Sequence, residues 1–140
     1  MQWVRDRWPG KLVVKGIMDV EDARAALACG VDGMVVSNHG GRQLDSAAAS
    51  IEVLPEVVEA VQDRCEVLFD GGVQSGQDVL TALALGARRV LIGKAFLYAL
   101  AAQGEAGVVR ALDIIRNELR VSMALTGETS VRQVSRAILR

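Results

Sequence analysis

The chain's only histidine, His39, stands three residues before Arg42, with Gly40 and Gly41 between them. An imidazole can take up a proton near neutral pH. A guanidinium can hold a carboxylate through two parallel hydrogen bonds. Two glycines let the backbone turn sharply and come close to a ligand. The set suits removal of a proton from a small acid whose carboxylate is gripped beside the base. Taken alone, the same four residues also suit a surface loop with an exposed histidine, so the neighbouring elements must decide.

Those neighbours read as strand, loop and helix. Gly33-Met34-Val35-Val36-Ser37 is a short apolar run. From Ile51 to Gln62 the spacing is helical, with Val53, Leu54, Val57, Val58 and Val61 on one stripe and Pro55 early, where a helix tolerates it. His39 therefore lies on a loop at the carboxyl end of a strand, the edge where parallel α/β folds place their ligands.

The pattern repeats along the chain. Leu12-Val13-Val14-Lys15 is a first strand; Asp19 caps a helix carrying Val20, Ala23, Ala26 and Leu27 that ends at Gly30. Glu66–Asp70 is a third strand, followed by Gly71-Gly72, and Ser75 with Asp78 starts a helix over Gly76–Leu85. Arg89–Ile92 is a fourth strand, followed by Gly93-Lys94. Beyond it, Ala95–Ala102 is a short helix broken at Gly104. A long one runs over Glu105–Leu125 with Val109, Leu112, Ile115, Leu119 and Met123 on one stripe, ending at Gly127. Ser130 with Gln133 opens a last helix. Strand–helix alternation at this spacing predicts a parallel sheet with crossover helices. Lys15, His39, Asp70 with its two glycines, and Gly93-Lys94 all fall just past strand ends, which reads as one assembled site. The glycine pairs after the third and fourth strands suit a phosphate cradle of backbone amides.

Bulk properties bound the rest. The 140 residues make one domain or part of one, and 51% apolar residues suffice for a real core. Charged residues make up 24% and nearly balance, with a formal net charge of −1, so nucleic acid is not an expected partner. Cys29 and Cys65 match no metal or disulfide framework and are expected to be small buried residues. A reducing cytosol fits, with peripheral contact at an inner membrane left open. The longest apolar run, Ala95 to Ala102, is far short of a membrane span, and the charged start from Met1 to Trp8 is not a signal peptide. Trp3 and Trp8 are expected to pack against the wall of the fold, and Tyr98 to be packing.

At this point the residues resemble the FMN-dependent α-hydroxy acid dehydrogenases and oxidases, a family that includes L-lactate dehydrogenases, glycolate oxidases and mandelate dehydrogenases. Ser37-Asn38-His39-Gly40-Gly41-Arg42-Gln43-Leu44-Asp45 is similar, without a gap, to that family's active-site signature. Lys15-Gly16, Glu21-Asp22-Ala23, Asp70-Gly71-Gly72-Val73, Ala84-Leu85-Gly86-Ala87 and Gly93-Lys94-Ala95 follow the family's order and spacing. The resemblance implies a TIM (β/α)₈ barrel of which residues 1–140 are the carboxyl-terminal half, covering the last four βα units and the terminal helices. A complete barrel takes roughly 250 residues. The amino-terminal half is then expected from elsewhere, or self-association in its place, and a full-length member is expected to be a homo-oligomer.

The resemblance also implies roles. FMN is the cofactor and a small L-2-hydroxy acid, lactate foremost, is the substrate, oxidised to the 2-oxo acid. His39 would be the base, and Arg42 would grip the carboxylate. Lys15 would stabilise negative charge on the reduced flavin, and Ser37 would touch the flavin. Asp70, Gly72 and Gly93 would hold the ribityl chain and phosphate, with Gly71 in the same loop and Lys94 on the phosphate. The acid that orients the histidine, further tyrosines and another arginine would lie in the other half. Two positions depart from the family pattern: Gln74 and Lys94 stand where arginines are usual, which implies a weaker phosphate grip. The rival expectations are a related FMN barrel acting as oxidase or isomerase, and an inactive half-barrel that binds flavin or phosphate weakly.

Overall fold

The computed structural model describes residues 1–139. A short helix α1 (Gln2–Arg5) leads into four βα units: β1 (Val13–Ile17) and α2 (Val20–Ala28), β2 (Gly33–Val36) and α3 (Ser50–Val61), β3 (Glu66–Asp70) and α4 (Gly76–Ala84), β4 (Arg89–Leu91) and α5 (Lys94–Thr126). The strands form one sheet in chain order, β1-β2-β3-β4, and every pair is parallel. That order, with a helix after each strand, is the arrangement of consecutive units in a partial (β/α) barrel.

The helices start where side chains satisfy their first backbone N–H groups. Asp19 accepts from the N–H groups of Glu21 and Asp22 ahead of α2, and Ser75 with Asp78 makes a reciprocal capping box ahead of α4. On one face of the sheet Ile17, Met34, Val36, Val67 and Phe69 pack against Ala23, Ala26, Leu54, Val57, Val61 and Ala82 from the helices. Side chains alternate along a strand. The other face therefore carries Val13, Lys15 and Val35 from the first two strands and Leu68 and Asp70 from the third. Burial is deepest at β2, all four of whose residues are buried, whereas Val13 on the outer strand β1 is 50% exposed.

Several expectations are corrected. Pro55 lies well inside α3 rather than in its first turn, so it removes one interior backbone hydrogen bond. In α5 the chain does break at Gln103 and Gly104, but the expected stripe is only partly core. Ile115 is buried while Val109 and Leu112 stay about half exposed, because no second layer among the described residues covers that side. The residues after Gly127 form no α-helix among those described, only a single 3₁₀ turn over Arg136–Ile138. Trp3 and Trp8 are exposed; Trp3 lies under the Arg7 guanidinium at 4.2 Å, and Trp8 Nε1 donates to Lys11 O at 2.9 Å. Tyr98 is exposed as well. Cys29 and Cys65 are free thiols and only half-buried, and burial pushes the Cys65 thiol up. No helix among the described residues is long and apolar enough to cross a membrane.

Candidate active site at the carboxyl edge of the sheet

Strand register brings three polar side chains together. Lys15 is paired with Val35, and Val35 with Leu68. Ser37 and Asp70 each lie two residues further along, so they share the face and the edge on which Lys15 stands. Ser37 is fully buried, and its hydroxyl is the hub. Its Oγ accepts from Lys15 Nζ at 2.8 Å and from the His39 N–H at 3.1 Å, and donates to Asp70 Oδ2 at 2.9 Å. Lys15 and Asp70 also form an ion pair. The buried hydroxyl thus has every valence filled, as a buried polar group must.

The His39 loop is built from short side-chain turns. After the hydroxyl of Ser37 takes the His39 N–H, Asn38 Oδ1 accepts from Gly40 N at 2.9 Å and Asn38 O from Gly41 N at 3.1 Å. His39 itself adopts a left-handed backbone, φ 56, which costs a non-glycine residue about 1–2 kcal/mol. Strain of this kind persists where surrounding bonds over-determine it, and here they do. His39 and Arg42 are both exposed, and among the described residues Arg42 makes no salt bridge.

The third and fourth strand ends complete the ring. At Gly71 the backbone passes so close to Ser50 that an added Cβ would lie 2.3 Å from Ser50 Oγ. At Gly72 and Gly93 an added Cβ would meet nothing within 4 Å, so both positions open into space. Gly93 is the residue ahead of α5 and supplies no side-chain cap, in contrast to Asp19 and Ser75 at α2 and α4. The first-turn amides of α5 thus carry no side-chain partner, and the positive end of the helix dipole lies there, beside Lys94.

These residues line one cavity of about 600 Å³, within the usual range for small-ligand sites. Lys15, His39, Arg42, Asp70, Gly71, Gly72, Gly93 and Lys94 all face it, and Gln74 is on the same wall. Of the nine expected site residues only Ser37 is not part of the lining; it lies beneath, joined to Lys15 and Asp70. A larger groove of about 990 Å³ lies at the opposite, amino edge, lined by Lys11, Asp32, Asp63, Arg64, Arg88 and Arg132. The smaller cavity is the better candidate, because the chemistry converges there and because barrel folds work at the carboxyl face. Asn38 and Gly16 stand inside the sequence motifs but were given no role of their own. An Asn before His-Gly-Gly was a legible turn signal; the part played by Gly16 depends on a long-range contact that spacing does not reveal. Among the described residues no group of His, Cys, Asp and Glu is arranged to hold a metal ion.

Comparison with known proteins agrees with this fold. A family model described as FMN-dependent dehydrogenase matches residues 1–140. The chain is 58% identical to an L-lactate dehydrogenase of Caulobacter vibrioides over 99% of its own length and 36% of that protein's. It is 52% identical to an L-lactate dehydrogenase of Azorhizobium caulinodans, covering 97% of this chain and 36% of that one. Among solved structures, a mandelate oxidase with benzoyl-formic acid superposes with a TM-score of 0.92 at 51% identity, over 96% of this chain and 40% of that chain. A mandelate oxidase mutant with the monooxide FMN adduct gives the same score and identity over 43% of its chain. The chain thus spans little more than a third of the curated relatives it matches.

Proposed function

The chain belongs to the family of FMN-dependent dehydrogenases, and from that premise we propose that it takes part in the oxidation of an L-2-hydroxy acid, lactate foremost, to the 2-oxo acid. The observation that carries this reading is the convergence of a lone imidazole, a free guanidinium, a lysine–carboxylate pair and open backbone amides on one cavity. The remaining barrel units come, on this reading, from outside these 140 residues.

The residues present fit FMN. A flavin mononucleotide needs amide donors and positive charge for its phosphate. The uncapped start of α5 at Gly93, the open backbone at Gly72 and the ammonium of Lys94 offer these on one wall. Its isoalloxazine ring gains from a fixed cation, which Lys15 supplies, held in place by Ser37 and Asp70. Bound FMN supplies the capacity to accept an electron pair from the substrate's α-carbon. The chain's own residues do the rest. Arg42 grips the substrate carboxylate through its fork of N–H donors. That fixes the hydroxyl-bearing carbon next to His39, whose imidazole takes the proton released as that carbon is oxidised. Lys15 stabilises negative charge that develops on the cofactor side.

A second reading, oxidase work on an aromatic 2-hydroxy acid, is favoured by the mandelate oxidase structures at about the same identity. One experiment serves both. These 140 residues are joined to the remaining barrel units of a relative, loaded with FMN, and given L-lactate or mandelate without oxygen. Bleaching of the flavin by either acid supports the reading, and reoxidation by oxygen against an artificial acceptor separates oxidase from dehydrogenase. A flavin that binds and stays oxidised with both acids overturns it.

A further inference from the structure

We propose that Gly16 is a positioning residue for His39: the bare backbone at an irregularity in β1 is the slot that receives the imidazole. This rests on reading His39 as the base. The regular pairing of β1 with β2 slips between Lys15 and Ile17, and Gly16 lies in the slip with φ +101. A Cβ added to Gly16 would come 2.6 Å from His39 Cε1, with Nε2 at 3.5 Å and Nδ1 at 3.6 Å. No real Cβ tolerates the first of these distances, so the ring occupies the space that the missing side chain leaves.

The His39 loop fixes only the backbone beneath the ring. The bonds from Ser37 Oγ, Asn38 Oδ1 and Asn38 O all end on main-chain N–H groups. Among the described residues neither ring nitrogen has a protein hydrogen bond, and His39 is exposed on the cavity lining. Orientation therefore falls to the surface the ring rests on, and that surface is the Gly16 backbone. The same slip follows directly on Lys15, whose ammonium reaches Ser37. One irregularity in β1 thus sets both the cation and the seat of the base. A base held off its productive position loses much of its effect even when it is present.

His39 is the only histidine in the chain, so isotope-labelled histidine gives a single Cε1–Hε1 signal in NMR spectra of the 140-residue protein. A nuclear Overhauser contact from that proton to the Gly16 α-protons is expected. Gly16→Ala should shift the signal. Gly127→Ala, equally left-handed at φ +76 but with open space around it and outside the cavity, should leave it in place. Should Gly16→Ala fold poorly, a double-mutant cycle decides. The loss in unfolding midpoint caused by Gly16→Ala should be smaller in a His39→Ala background, because the backbone strain stays while the clash is gone. Absence of the contact, an unmoved signal, or equal losses in both backgrounds overturns the proposal. Failure of the hydroxy-acid reading shows separately, as a flavin that no hydroxy acid bleaches, and leaves these signals as they are.

Discussion

Asp70 at the carboxyl edge of the sheet and Asp32 at the amino edge each face a lysine, yet their surroundings are built to different ends. Asp32 spends both oxygens on the protein. Oδ1 accepts from Lys11 Nζ at 2.7 Å, and Oδ2 from Leu12 N at 2.9 Å and Arg5 Nη1 at 3.2 Å. The cluster ties α1 and the approach to β1 onto the turn before β2 and leaves neither oxygen without a protein donor. Asp70 takes Lys15 and Ser37 on Oδ2 alone. Among the described residues its Oδ1 has no protein donor, and the pair faces a cavity with open amides on its far wall. A carboxylate with both oxygens engaged by the protein fastens elements together, while one with an unengaged oxygen beside a cavity has bonding capacity left for a ligand. The division follows the general rule that the amino face of a barrel serves stability and the carboxyl face serves function.

The contrast breaks most sharply at His39. In the completed barrel, His39→Ala should lower turnover by roughly 10²–10⁴, the usual scale for loss of a general base. FMN binding should persist, since the imidazole serves proton transfer and the phosphate wall is untouched. Steady-state kinetics with a flavin titration checks both halves. Near-normal turnover would remove His39 from the chemistry, and lost flavin would mean that the loop, not the base, had been disturbed.

A smaller effect is expected on the phosphate wall. Gln74 lines the cavity with Gly72, Gly93 and Lys94 but brings no charge. A charged hydrogen bond is worth about 1.5–3 kcal/mol, so Gln74→Arg should tighten FMN by roughly tenfold or more. The check is the dissociation constant of FMN for the completed barrel with and without the change. An unchanged constant would place Gln74 away from the phosphate and leave the Gly72 backbone, the α5 amides and Lys94 as its grip.

How much of this was legible in the sequence depended on whether the cause was local. The caps at Asp19 and Ser75 and the break at Gly104 are effects of residues a few positions apart, and all appear as expected. The alternation of strands and helices fixed the parallel sheet, and with it the edge at which Lys15, His39, Asp70 and Gly93 gather. What was not legible depends on distant partners. The apolar outer side of α5, with Val109 and Leu112, signals burial, but sequence does not say against what. Trp8 turns outward because its N–H finds the Lys11 carbonyl nearby. Ser37 read as one flavin contact among several, and only the register of three strands reveals it as the hub of four residues. Gly16 read as the residue after a lysine, and its contact with His39 depends on how a slip in β1 meets a loop from β2.

The smallest effect belongs to the amino edge and is read with pH. Lys11's hydrogen bond above all, then the Leu12 N–H, with further help from Arg5, holds the Asp32 carboxyl at about 2 against an ordinary 3.8. A group whose folded value is depressed adds stability above its unfolded value and loses it as pH falls through the folded one. Asp32 therefore contributes in full above 3.8 and nothing once the pH is below about 2. Asp32→Asn keeps an oxygen for the Leu12 N–H but removes the charge. The variant should unfold at lower urea than the parent at neutral pH, with the gap constant down to about pH 4, narrowing below 3.8 and closed near 2. The site is exposed and salt screens it, so added salt should shrink the gap at neutral pH. A gap that persists unchanged to the lowest pH would mean that shape and hydrogen bonding, not charge, make Asp32 useful. The amino edge would then be held by hydrogen-bond geometry rather than by charge.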